Sequence, residues 1–317
     1  MATERASVDV IQSAIDDFTA GIPAMERKQF DSIYAMLKDL SLDEEGKIKS
    51  TIDNLKIINR VKNELDSLTS SDKFLNKVSD LQDVVSKVTS VQTAYLGNAF
   101  SDFEAPKLLP YIEKQAFENT VSSLTDAGIN ENVLTSASDI LEQHLRDGSS
   151  FKSLVDKLEE TMVSSKETDS KLLSYSKQII NDTMSNYARE YHALVTDDLG
   201  LQYFGYVGAL VDASRPLCRA LVKKHWIHES ELASIARGEV DGQNGMTIKG
   251  KFHKYTEGLM PGTNGSNFQT RCAGYNCTHQ LVPVPSDAVP TSIRRKFEDN
   301  VNADNAELAD SRPRRKK

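Results

Sequence analysis

The chain has 317 residues, 39% of them hydrophobic and only 7% aromatic, and a net charge of -8 at neutral pH. That length allows two domains with cores that need no covalent staples, and the negative balance excludes the surface as a whole from nucleic-acid binding. Three cysteines are too few, and odd in number, for a secreted disulfide scaffold, which points to folding in a reducing compartment such as a cytoplasm.

Residues 6–40 carry apolar positions at helical spacing: Val10, Ile11, Ala14 and Phe18, then Phe30, Ile33, Met36, Leu37 and Leu40. Gly21 and Pro23 separate the two runs. Ser41-Leu42-Asp43-Glu44-Glu45 reads as a helix start with acids in its first turn. A near-heptad run follows, Ile48, Ile52, Leu55, Ile58, Val61, Leu65 and Leu68, and then Phe74, Val78, Leu81, Val85 and Val88. Such amphipathic helices must hide a narrow stripe. An antiparallel hairpin within the chain explains them, and helices of a partner are the alternative. Gly97, Pro106 and Pro110 mark 95–110 as a boundary.

Helical pattern resumes with Phe117, Val121 and Leu124, closed by Asp126-Ala127-Gly128. The next helix carries Val133, Ile140, Leu141 and Leu145 and stops at Asp147-Gly148. Ser149 and Ser150 are candidate caps for a helix with Leu154, Val155 and Leu158. A long helix from Leu172 to Leu194 ends at Leu199-Gly200. The pattern then changes. Leu201–Val211 is aromatic, β-branched and glycine-dotted, and predicts a strand. Short helices are expected over 215–224 and 229–237, a Gly-rich polar stretch over 238–266, and a closing strand over Cys277–Val284. From Pro285 onward the chain is polar, with too little apolar surface to fold, and ends in the basic run Arg312–Lys317.

Every cysteine, Cys218, Cys272 and Cys277, lies in the C-terminal part, together with His225, His228, His253 and His279. Cys277 and His279, two apart on a strand, project to one face. Gly274 permits a turn that brings Cys272 beside them. Cys218, just after the first strand, is placed to meet Cys277. Cys218, Cys272, Cys277 and His279 are therefore candidates for a closed zinc site, zinc being the only cofactor in view. Buried core thiols, or a disulfide formed on exposure to an oxidant, explain the same residues. A nucleophilic Cys218 with His279 or His225 as base is a further reading, though no phosphate loop, nucleophile elbow or His-Glu-x-x-His accompanies it. Asp212 reads as a cap of the following helix, Arg215 as a partner of a carboxylate or carbonyls, and Trp226 as a core anchor.

One order of segments stands out: a helix ending Asn186-Tyr-Ala-Arg-Glu-Tyr191, a strand with Phe204-Gly-Tyr-Val-Gly208, and Asp212-Ala-Ser-Arg215-Pro-Leu-Cys218. It closes with Gly274-Tyr-Asn-Cys277-Thr-His279-Gln-Leu-Val-Pro-Val284. This resembles the C-terminal domain of the Mu F-like minor head, or head morphogenesis, proteins of tailed bacteriophages, over roughly residues 115–285. Asp212, Arg215, Cys218, Cys277 and His279 fall on the family's motif positions. Ala273-Gly274 stands where a Gly-Gly is usual, Cys272 is extra, and the first 110 residues are not covered.

The resemblance implies a virion or assembly protein rather than an enzyme, associated with the phage portal and other head proteins at the head interior or portal vertex. Assembly would take place in the host cytoplasm. Packaged DNA is a further expected partner through the basic tail. A membrane is not, since no apolar run nears the ~20 residues that span one and MATERASVDV lacks a signal-peptide layout. A cysteine- or zinc-dependent entry enzyme and a DNA-binding internal head protein are the alternatives. The expected fold is mostly α: an amphipathic helical region over 1–110, an α+β domain with a small sheet over 111–285, and a flexible tail over 286–317.

Overall fold

The computed structural model describes residues 5–125, 127–241, 247–248, 257–272 and 274–297. Asp126, His253, Ala273 and the basic run Arg312–Lys317 lie outside them. The chain is mostly α, with a small antiparallel sheet. In order come α1 (Ala6–Thr19), α2 (Ile22–Leu37), α3 (Ile52–Leu65), α4 (Asp72–Ala99) and α5 (Leu109–Thr125). Then α6 (Ala127–Ile129) leads through a π-helical turn, Asn130–Leu134, into α7 (Thr135–Asp147), α8 (Phe151–Met162) and α9 (Lys171–Leu199). The last part holds β1 (Tyr203–Val207), α10 (Pro216–Lys224), β2 (Trp226–His228) and α11 (Leu232–Ala236). It ends with the short pair β3 (Val240–Asp241) and β4 (Thr247–Ile248), then α12 (Phe268–Arg271) and β5 (Gln280–Pro283). Among the described residues no helix is long and apolar enough to cross a membrane.

Two compact units form, each from separated stretches of chain. One takes Met1–Val8, Ser90–Leu109 and Ser185–Lys317, and the other takes Asp9–Thr89 and Pro110–Met184. Residues 1–110 thus contribute to both, and α4 and α9 each cross from one to the other.

The second unit is mainly helical, and one of its apolar clusters joins four helices. Phe30, Ile33 and Leu37 of α2 meet Ile57, Ile58, Val61 and Leu65 of α3, Leu141 and Leu145 of α7, and Leu154 and Leu158 of α8. Burial of each large apolar side chain contributes roughly 1.5–3 kcal/mol. The apolar stripe of α3 differs from the heptad expectation. Ile52 is 75% exposed and Leu55 47%, and Ile57 takes the buried place. The reason lies upstream, where residues 41–50 are a loop rather than a helix start. Asp43 accepts the N–H groups of Glu45 and Lys47, Gly46 turns the chain at φ 75°, and Leu42 bridges Ile48. Buried Asn54 holds this loop, accepting from Ser41 N and donating to the carbonyls of Ser41 and Lys49. The helix starts instead at Thr51, whose side chain accepts from Asn54 N. Ser150 caps α8 as expected, accepting from Ser153 N, and Gly148 ends α7 in the left-handed region at φ 59°.

Glu26 is the polar group on which the helix connections of this unit depend. It is buried on α2 and accepts Ser164 N at 3.1 Å, Ser164 Oγ at 2.8 Å and Ser170 Oγ. Ser170 in turn accepts Leu173 N at the start of α9. Glu26→Ala leaves these donors facing apolar surroundings. We expect a loss of about 2–4 kcal/mol, read as a lower urea midpoint at unchanged slope, with Glu26→Gln retaining part of the difference.

In the first unit the sheet runs β2-β1-β5, all antiparallel, with Phe204 opposite Ile227 and Pro283, and Tyr206 opposite Leu281. Alternation gives the sheet two occupied faces. Phe204, Tyr206, Ile227 and Leu281 meet Leu217, Cys218 and Leu221 of α10, together with Phe268, Cys272 and Cys277. Tyr203, Trp226 and Val284 meet Val289, Ile293 and Phe297 on the other side. The packed chain therefore extends to Phe297, beyond the Pro285 limit expected from composition. Three apolar residues, set among polar ones, suffice: Val289 is extended just before a helical turn over 291–297, on which Ile293 and Phe297, four apart, share one face.

Candidate functional site

Three segments converge on the inner face of the sheet. Pro216 starts α10, where its missing N–H costs nothing, and the helix presents Cys218 toward β1. The turn before β5 delivers Cys277 and His279. Its left-handed residue is Asn276, φ 55°, rather than Gly274. Gly274 serves by its smallness: a Cβ there would lie 3.0 Å from the guanidinium carbon of Arg215. Arg215 donates across this gap to the carbonyl of Tyr275 at 2.6 Å, and so ties the 212–218 segment to the 274–279 segment.

Cys218 Sγ stands 3.6 Å from Cys277 Sγ, and Cys277 Sγ stands 3.2 Å from His279 Nδ1. The Tyr206 hydroxyl donates to Cys218 Sγ at 3.7 Å, and its ring stacks on the His279 imidazole at 5.6 Å. All three cysteines are free thiols and buried. The ligand-capable atoms of Cys218, Cys277 and His279 lie within 4.8 Å of one another. Cys272 is not in that group. It is fully buried in the adjoining apolar core, where desolvation pushes its thiol up to about 11.

The polarity of the cluster is unequal. The hydrogen bond from Cys218 does most to draw Cys277 well below the ordinary thiol range, helped by His279 and the nearby Arg189 charge against the opposing cost of burial. Cys218, the donor, is driven up by the same contact and by burial. Burial likewise holds the Tyr206 phenol well above its ordinary range.

Arg189 is the residue that sequence reasoning passed over. It lies on α9 and is 3% exposed. Its Nη2 donates to the Cys277 carbonyl at 2.5 Å, Nη2 and Nε to the His279 carbonyl at 3.1 and 3.2 Å, and Nη1 to Asn186 Oδ1 at 2.9 Å. No carboxylate pairs with it among the described residues, and its charge is one of the influences that favour the ionised form of the Cys277 sulfur. The signal was present in Asn186-Tyr-Ala-Arg-Glu-Tyr191, but an arginine on an amphipathic helix ordinarily reads as solvated.

Other expected roles resolve differently. The Asp212 side chain does not cap α10. Arg215 is the N-cap residue, and Ser214 Oγ closes the preceding turn by accepting Val211 N. Arg219 holds that turn through the carbonyls of Val211, Asp212 and Ser214. His225 ends α10 at φ 63° and meets Trp226 edge to face, and His228 caps the turn that begins α11. Neither joins the sulfur cluster. Lys224 and Glu231 form a buried ion pair at 2.8 Å, and Glu231 also accepts His228 N.

His192, one turn beyond Arg189, is buried with Nδ1 unpartnered among the described residues, and desolvation lowers its pKa to about 3. Its folded value lies below the unfolded value of about 6.5. Its contribution is therefore complete above the unfolded value and is lost as pH falls toward the folded one. At about 1.4 kcal/mol per unit, acidification from pH 7 to 5 should cost roughly 2 kcal/mol. Urea midpoints at both pH values should show that loss in the wild type, and a smaller one in His192→Gln.

Comparison of the chain with protein-family profiles, with curated proteins and with solved structures found no match.

Proposed function

We propose that the protein is a minor structural protein of a tailed-bacteriophage head, which binds the portal or the head interior and assists assembly or genome delivery. The observation that carries the reading is the meeting of the two motif segments. Cys218 and Cys277, 59 residues apart, touch at 3.6 Å, beneath the Arg215 bridge and against the Arg189 clamp. The segments that resemble the Mu F-like pattern thus act as one fastening in a small α+β unit.

Burial favours a structural over an enzymatic role. Cys218, Cys277 and His279 are each under 10% exposed, at 1%, 6% and 4%, which leaves a nucleophile no route to a large substrate. The exposed apolar residues Ile52 and Leu55 on α3 supply surface for a partner, as an assembly protein requires. The test is mass spectrometry of purified particles. A chain present at a fixed ratio to the portal, and co-purifying with portal from cells lacking shells, is the expected result. Its absence from particles and from portal complexes would remove the proposal.

A further inference from the structure

We propose that Cys218, Cys277 and His279 bind one zinc ion, with the Tyr206 hydroxyl beside the fourth position. The inference is independent of the phage reading. Zinc favours thiolate sulfur and imidazole nitrogen in tetrahedral array, at about 2.3 Å and 2.0–2.1 Å. Two sulfurs on such an ion stand about 3.8 Å apart, and a sulfur and a nitrogen about 3.5 Å apart. The chain places its sulfurs 3.6 Å apart and the Cys277 sulfur 3.2 Å from His279 Nδ1. The remaining edge is at most 4.8 Å. It closes with a shift of no more than about 1.3 Å, within reach of small χ1 adjustments.

The surroundings favour a metal over a disulfide. A Cys218–Cys277 bond would need the sulfurs to approach to about 2.05 Å, and would give the inward-facing imidazole nothing to do. Arg189 fixes the main-chain carbonyls of both Cys277 and His279. These bonds fix the backbone that carries two of the three ligands. Glycine at 208 lets the His279 ring lie against the backbone: a Cβ there would fall 2.5 Å from its Cδ2. On binding, each thiol that becomes a ligand releases its proton to solvent, so two thiolates balance the charge of the ion. Cys272 takes no part, which narrows the expected set of four residues to three.

The full-length protein, purified with reductant and without chelator and then supplied with zinc, should retain about one ion per chain by elemental analysis. Cobalt in place of zinc should give thiolate charge-transfer absorption and the intense visible bands of a tetrahedral ion. Zinc should raise the melting temperature and a chelator should lower it. Cys218→Ser and His279→Gln should each lose the cobalt spectrum, and Cys272→Ser should keep it. Because a ligand variant can fail to fold, the wild-type cobalt spectrum and the zinc-dependent melting shift decide independently of the variants. Absence of both, equal loss in Cys272→Ser, or a Cys218–Cys277 disulfide whose reduced form refuses metal would each overturn the proposal.

Discussion

Arg189→Met should destabilise the protein by about 3–5 kcal/mol, the largest effect expected of any single polar substitution here. Methionine fills much of the space of the arginine stem but returns none of its hydrogen bonds. The carbonyls of Cys277 and His279 lose their donors in a buried setting, and each unmet group costs about 1–3 kcal/mol; the exposed Asn186 side chain can turn to water. The Cys277 sulfur also loses the positive charge that favours its ionised form. Arg189→Lys should recover only part of the loss, since one ammonium cannot span acceptors that a planar guanidinium reaches together. Equilibrium denaturation in urea measures the change. A second readout separates this mechanism from general loosening: the buried thiols should react faster with a chromogenic disulfide in Arg189→Met than in a core variant of equal stability. Equal thiol rates would show that the arginine does not hold this turn.

Gly208→Ala is expected to cost about 2–4 kcal/mol and to displace His279. Gly208 has φ 147°, a region that L side chains rarely adopt, and its added Cβ would lie 2.5, 2.7 and 3.0 Å from Cδ2, Cγ and Cα of His279. One of those atoms is backbone at the entry to β5, so rotation of the ring alone does not relieve the contact. Gly200→Ala is the matched control. It also has positive φ, 60°, but its Cβ meets nothing within 4 Å, so only the backbone penalty of about 1 kcal/mol applies. In thermal unfolding, the excess loss in Gly208→Ala over Gly200→Ala reports the His279 contact together with the less accessible backbone angle at 208. Equal losses would mean that the His279 contact relaxes freely.

Much of this architecture was readable in the chain. The long helices declared themselves through 3.6-residue spacing, and Gly148, Ser150 and Gly200 ended or began elements as their chemistry dictates. β1 was legible because Tyr203–Val207 is aromatic and β-branched without helical period. Leu201 and the stretch after Val207 lie outside the strand, which is shorter than the aromatic, glycine-dotted segment that announces it. β2 was not legible. Trp226–His228 is too short to show alternation, and its partner is chosen by tertiary contact with β1.

At the site, shared residue chemistry suggested that Cys218 should meet Cys277 and His279, and the geometry places them together. Cys272 could not be told from them by spacing, because a buried thiol and a ligand thiol look alike in sequence. Arg189 was hidden for the converse reason: nothing local says that its carbonyl partners lie about 90 residues on. The exposure of Ile52 and Leu55 was lost in a heptad that continued the helix backward through residues 41–50. Asp43, Gly46 and Asn54 make that stretch a loop.

The discontinuous make-up of the two units bears on biosynthesis. Ser7 donates to Gln280 across 273 residues of chain, and the second unit awaits everything up to Met184. A nascent polypeptide paused near residue 110 would own about half of the second unit and none of the residues that pack around the sheet of the first. The second unit can close once Met184 has emerged, whereas the first must wait for β5, so the two fold at different stages of synthesis. A dissection near residue 110 should yield two insoluble fragments rather than two working modules.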